Sequence, residues 1–144
     1  MIQQGLYLRI VEGGQTFLMS TDDVQAIERR ERLSIDDSAQ GIVAWFNQGA
    51  DRWPAFRFGD VLGMTTEGWD HCVFFKTIGR PLGIVAESIQ LMPHHQDIEV
   101  RPFQVIGNTF PGGPLFNGVW INTPAPALVI DSHQLMSYLS QRGG

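Results

Sequence analysis

At 144 residues, 43% hydrophobic and 17% charged, the chain is long enough to bury the core of one domain and too apolar for disorder, while its 16 glycines and 8 prolines point to many short strands joined by turns. A net charge of −5 with one lysine, Lys76, and with Arg29, Arg30 and Arg32 interleaved with Glu28 and Glu31, excludes a cationic track for nucleic acid. The single Cys72 excludes an internal disulfide, and the lack of a secretory signal or of a bilayer-length apolar run leads us to expect a soluble cytoplasmic protein that does not insert into the membrane.

In chain order, residues 6–11 and 15–19 read as a hairpin closed by Gly13-Gly14, which tolerate positive φ. Ser20, Thr21, Asp22 and Asp23 form an N-terminal signal for a helical turn through Val24 and Ile27, with a bulged strand as the alternative. Residues 33–40 read as a loop around Asp36-Asp37, residues 41–46 as a strand, and residues 47–51 as a turn. Residues 52–58 alternate as a strand whose Pro54 belongs at a start or an edge, because proline cannot donate to a ladder. After a junction at 63–69, residues 72–76 and 81–89 make a second hairpin around Thr77-Ile78-Gly79-Arg80. A strand over 98–106 is interrupted by Pro102, and residues 110–114 form a stiff Pro-Gly loop. The tail changes period: Leu135, Met136, Tyr138 and Leu139 predict a helix capped by Asp131 or Ser132 and lying over the β-structure.

Several of these segments are echoed. Pro54-Ala55-Phe56-Arg57-Phe58 returns as Pro126-Ala127-Leu128-Val129-Ile130, each after a Gly-led apolar run beginning at Gly41 or Gly118. Val24-Gln25-Ala26-Ile27 is echoed by Ile89-Gln90-Leu91-Met92, each after a strand-like run, 17–19 or 83–85. Offsets of about 65 and about 72 residues exceed solenoid periods and predict two like subdomains, near 1–66 and 67–144, intertwined in one domain.

Catalytic signatures are weak. Cys72 sits in an apolar run where a buried thiol is the ordinary reading, and His71 beside it would face the other way on a strand. His94-His95, with Asp97 and Glu99, is the strongest metal candidate, but it has neither an i, i+4 histidine pair nor a thiolate. His133 lies near the start of the final helix, facing solvent or packed under a strand. Asp22-Asp23 and Asp36-Asp37 are explained by caps and loops, Gly112-Gly113 lacks the donors of a phosphate cradle, and Gly143-Gly144 is a fraying end. Trp53, Trp69 and Phe110 are flanked by turn residues and are the aromatics to inspect for exposure.

The duplicated phrases resemble the CheW-like domain family, adaptor modules of bacterial chemosensory arrays. The resemblance runs over residues 6–139. It rests on Phe17-Leu18-Met19 with Val24-Gln25-Ala26-Ile27, on Gly41-Ile42-Val43 through Gly49, on Pro54-Ala55-Phe56-Arg57-Phe58 with Leu62-Gly63, on Gly83-Ile84-Val85-Ala86-Glu87-Ser88-Ile89, and on Asn117-Gly118-Val119 with Leu128-Val129-Ile130-Asp131. It implies a mainly β fold of two small intertwined five-stranded SH3-like barrels with a C-terminal helix, a hydrophobic groove between them, no enzymatic activity and no cofactor. It further implies docking of a CheA-type histidine kinase and of the cytoplasmic tip of a chemoreceptor, with Val24, Ile27, Gln48 and Gly49 on the receptor side and Ile84, Glu87 and Ile89 near the groove and the kinase-facing barrel. The chain departs from the family where Gln48 replaces an arginine, Ala26 a glutamate, and Arg57-Phe58 an Asp-Leu pair. The alternative from another class is a small barrel that binds a metal or ligand, or hydrolyses a substrate, through the His94-His95 region.

Overall fold

The computed structural model describes residues 2–3, 7–36, 41–64, 68–92, 98–102, 115–121 and 125–143. Among these residues thirteen strands form two curled sheets, as expected for a mainly β chain, with one C-terminal helix. The strands are β1 (Ile2–Gln3), β2 (Tyr7–Glu12), β3 (Gln15–Ser20), β4 (Val24–Arg29), β5 (Ser34–Ile35), β6 (Ile42–Gln48) and β7 (Asp51–Arg57), then β8 (His71–Phe75), β9 (Leu82–Ala86), β10 (Ser88–Leu91), β11 (Ile98–Pro102), β12 (Phe116–Trp120) and β13 (Ala127–Ile130). A helical turn α1 (Phe58–Val61) follows β7, and helix α2 (Ser132–Gly143) follows β13.

One sheet has seven strands in the order β1-β11-β12-β13-β3-β2-β10, and the other six, β4-β8-β9-β7-β6-β5. Leaving aside β1, the two orders are the same pattern written with different strands. The parallel ladder β13–β3 corresponds to β7–β9, the hairpin β2–β3 to β8–β9, and α2 to α1. Every echoed phrase falls on equivalent strands: residues 54–57 and 126–130 at β7 and β13, Val24 and Ile89 at β4 and β10. Within this pattern each half of the chain gives its first hairpin to the sheet built by the other half.

That exchange explains the apolar runs. Phe17 and Met19 on β3 face a core shared with Val73 and Phe75 on β8, Ile84 and Ala86 on β9, and Leu135 and Leu139 on α2. The alternate side chains point the other way: Leu18 joins Tyr7, Trp120 and Val129 inside the seven-stranded sheet, and Cys72, Phe74 and Val85 join Phe46, Ala55 and Trp69 inside the six-stranded one. Strands apolar on both faces lose the polar alternation of a solvated sheet. The ring of Phe74 lies over Gly83, its ladder partner, where an added Cβ would meet the ring at 2.7 Å and Cys72 Sγ at 2.9 Å.

Where the β2–β3 hairpin reaches the other sheet, Glu12 is 0% exposed. Its carboxylate accepts the amide of Gly59 at the start of α1 (2.9 Å) and that of Glu87 between β9 and β10 (3.3 Å), while Glu87 Oε1 accepts from Gly13 N (2.7 Å). A buried carboxylate persists only with such partners, and its removal leaves amides without acceptors.

Four elements differ from the sequence expectation. The segment from Val24 is the bulged strand β4 and not a helical turn: Ser20 Oγ accepts from Asp22 N (3.2 Å) and Val24 N donates to Thr21 O (3.1 Å), which makes one turn before β4 pairs with β8. Residues 81–89 are two strands belonging to different sheets, broken at Glu87. The loop over 33–40 contains β5 and the buried Leu33, and β7 ends at Arg57 because Phe58 opens α1. Pro54 sits inside β7 opposite Trp45, tolerated because pairing with β9 begins only at Ala55. The stiff loop at 110–114 and the continuation of β11 past 102 lie outside the described residues.

Glu12→Ala should lower stability by about 2–4 kcal/mol by stranding the Gly59 and Glu87 amides, read as a drop in the urea midpoint. Gly83→Ala should cost about 1–3 kcal/mol through overpacking against Phe74, and pairing it with Phe74→Leu should recover part of that loss.

Candidate functional site

At the seam equivalent to the one Glu12 closes, the chain leaves an open groove of ≈ 650 Å³. One wall is the tip of the β8–β9 hairpin, Lys76 to Leu82, and the other is the outward face of α2, where Ser132, His133, Met136, Ser137 and Ser140 recur at helical spacing. The opposite face of that helix places Leu135 and Leu139 in the core. Asp131 caps α2, its Oδ1 accepting from His133 N (3.0 Å) and Gln134 N (3.2 Å). Asp23 ties the walls together: its carbonyl accepts Lys76 N (2.8 Å), and its Oδ2 accepts Ser132 Oγ–H (2.9 Å).

Ile78 stands at the hairpin apex with a relative exposure of 109%, flanked by Lys76 and Arg80, while Leu82 and Met136 present partly buried apolar surface inside. An unburied branched side chain at a tip, above an apolar floor with a charged rim, has the anatomy of a protein contact. The groove has the wrong order of groups for hydrolysis. His133, its side chain 85% exposed, has Nε2 3.5 Å from Asp23 Oδ2, so Asp23 stands between the Ser132 hydroxyl and the imidazole. A nucleophile relay needs the imidazole in the middle.

The residues carried over by resemblance fall in three places. Val24 lies next to Asp23 of the groove and packs on the shared core, and Ile27 is exposed on edge strand β4. Gln48 and Gly49 are exposed at the β6–β7 turn, Gly49 with φ +59°. That turn is near the groove wall, because Arg80 Nη1 donates to Arg52 O (3.4 Å) at the start of β7. Ile84 (0% exposed) and Ile89 (4%) are core side chains with no area to offer a partner. Glu87 is half-buried, with Oε1 engaged by Gly13 N at the closed seam.

Other candidates resolve into structural roles. Cys72 is buried, and burial first and the charge of Glu28 second push its thiol well above its ordinary pKa of 9.0. Trp69 is buried and Trp53 half-buried; Arg30 lies 4.6 Å from the Trp69 ring centroid and donates to its carbonyl (3.2 Å). His94, His95, Asp97 and Phe110 lie outside the described residues. Among the described residues no group of three His, Cys, Asp or Glu side chains could hold a metal ion, and no helix is long and apolar enough to cross a membrane. The sequence places Ile78 and Arg80 in a turn and Met136 on the apolar stripe of the helix, and marks none of them as a site residue; the one local signal is an isoleucine at the apex of a polar turn.

No family model matches the chain, and no curated protein matches it in sequence. Among solved structures, the fold is similar to the scaffolding protein TtCheW from Thermoanaerobacter tengcongensis. The TM-score is 0.65 over 88% of each chain, at 12% identity. The chain therefore has a CheW-like fold: two curled SH3-like barrels and a C-terminal helix.

Cys72 should resist a water-soluble thiol reagent in the folded protein and react only at the rate of unfolding. Because its folded pKa is raised, the neutral thiol's contribution to stability is complete below the ordinary thiol pKa and is lost as pH climbs through the folded value. Cys72→Ser should change the shape of an alkaline stability titration above about pH 9 and leave it unchanged near neutrality.

Proposed function

We propose that this chain is a non-catalytic adaptor of a bacterial chemosensory or motility system, one CheW-like domain that docks a CheA-type histidine kinase, a chemoreceptor tip, or both. The observation that carries this reading is the open groove between the β8–β9 tip and α2, apolar within and charged at its rim, in a fold shared with a scaffolding protein. Ile78, Leu82 and Met136 supply the apolar contact, each fully buried side chain contributing about 1.5–3 kcal/mol. Val24 at one end of the groove, with Ile27, Gln48 and Gly49 on neighbouring edges, extends the receptor-facing surface.

The charge changes bear on partner choice more than on fold. Gln48 is exposed and its Nε2 donates only locally, to Asn47 O (3.3 Å), so replacing an arginine there removes a cation without disturbing the sheet. A partner selected for a charge at that position would bind this chain more weakly.

The test is calorimetric titration with two fragments from the same genome, a kinase regulatory domain and a receptor tip. Binding of at least one is expected, and Ile78→Glu with Met136→Glu should weaken the groove-bound fragment more than tenfold, about 1.4 kcal/mol or more, with the circular dichroism spectrum unchanged. Failure of both fragments to bind would remove the chemosensory role.

A further inference from the structure

On the outer face of the six-stranded sheet, two arginines share one indole. Trp45 on β6 donates its Nε1–H to Asp36 Oδ2 (2.7 Å), which fixes the ring. The guanidinium carbon of Arg52, on the neighbouring strand β7, lies 4.3 Å from the ring centroid. That of Arg80, from the β8–β9 tip, lies 5.5 Å from the same centroid, and Arg80 Nη1 donates to the Arg52 carbonyl (3.4 Å).

Both arginines are exposed, and among the described residues neither forms an ion pair. Two like charges held together repel unless an anion sits between them, and here an aromatic face and a backbone carbonyl hold them in place instead. Asp36, which accepts the indole N–H, is already engaged, and Asp51 at the adjoining turn is exposed to solvent.

We propose that Trp45, Arg52 and Arg80 form a second docking surface, which takes a carboxylate-rich segment of a protein partner. The guanidinium of Arg52 over the indole, and the donors of Arg80 other than the Nη1 given to the Arg52 carbonyl, can match a carboxylate in a two-point hydrogen bond. Stacking also removes much of the side-chain freedom that an unsupported surface arginine loses on binding. The shortness of the patch, two arginines on one indole, favours a short acidic peptide segment over a nucleic acid, which needs an extended cationic track. Arg80 belongs to both the platform and the groove wall, so a partner with an apolar anchor and an acidic flank can occupy both at once.

The test follows the Trp45 indole N–H resonance of the full chain during titration with an acetylated hexaglutamate peptide, with hexaglutamine at matched ionic strength as control. A saturable shift with the glutamate peptide alone is expected, weakened about tenfold by Arg52→Gln with Arg80→Gln and reduced as salt is raised. The unchanged amide spectrum of that double variant shows that it is folded, and the wild-type titration against hexaglutamine decides the question without any variant. An equal response to hexaglutamine, undiminished affinity in the double variant, or tighter binding of a short oligothymidylate would each overturn the proposal. Neither kinase nor receptor enters this experiment, so its failure leaves the adaptor reading standing, and the loss of that reading leaves this one.

Discussion

The structure depends on hairpins that are buried on both faces. The β2–β3 and β8–β9 hairpins each complete the sheet begun by the other half of the chain, and each fills a sheet interior with one set of side chains and the shared core with the alternate set. Withdrawing either hairpin would open two cores together, and a half-chain alone would expose an unpaired edge at the parallel ladder, β7–β9 or β13–β3. Gly83 under Phe74 reflects the same constraint, since a strand packed on both sides has no room to spare.

The repeated strand order creates two equivalent seams, and the chain treats them differently. At the first, a tight Gly13-Gly14 turn brings the wholly buried Glu12 against the amides of Gly59 and Glu87, and α1 spans only four residues. At the second, the hairpin has a longer loop carrying Ile78, α2 runs for twelve residues, and Asp23 bridges the walls through Lys76 and Ser132 without filling the space between them. One copy closes the fold with backbone hydrogen bonds, and the other leaves apolar surface open. An open groove thus arises without weakening the core, because Leu135 and Leu139 anchor the inner face of the same helix that lines it.

How much of this was legible depends on the range of each signal. The echoed phrases report local backbone and burial requirements, so strands such as β6, β7, β9 and β13 can be read from them, as can α2 from the spacing of Leu135 and Leu139. The exchange of hairpins is a long-range choice that no window contains. The break at Glu87 was invisible for that reason: nothing between Leu82 and Leu91 states that the two sides belong to different sheets. Val24 to Ile27 misled because Ser20 and Asp22 make a genuine turn, while the ladder with β8, some fifty residues along the chain, imposes the extended conformation on the residues after it. Ile84 and Ile89 lie in a phrase that carries the family resemblance, and burial makes them framework; Glu12 carries a charge, and the same burial makes it a fastener.

The division between framework and surface also says where this chain can change its exposed charges without touching its packing. Phrases that fill the cores resemble those of the CheW-like family, while the exposed Gln48 stands where that resemblance implies an arginine. Cations are present instead one strand over and across the hairpin, at Arg52 and Arg80, held by Trp45 rather than by a carboxylate. Because these side chains lie outside all three cores, substituting them changes the electrostatic rim of the groove and little else. A fold that keeps its stability in exchanged, doubly buried hairpins can therefore vary its exposed surface independently, and the Trp45, Arg52 and Arg80 cluster lies on that surface, beside the apolar groove and outside the packed cores.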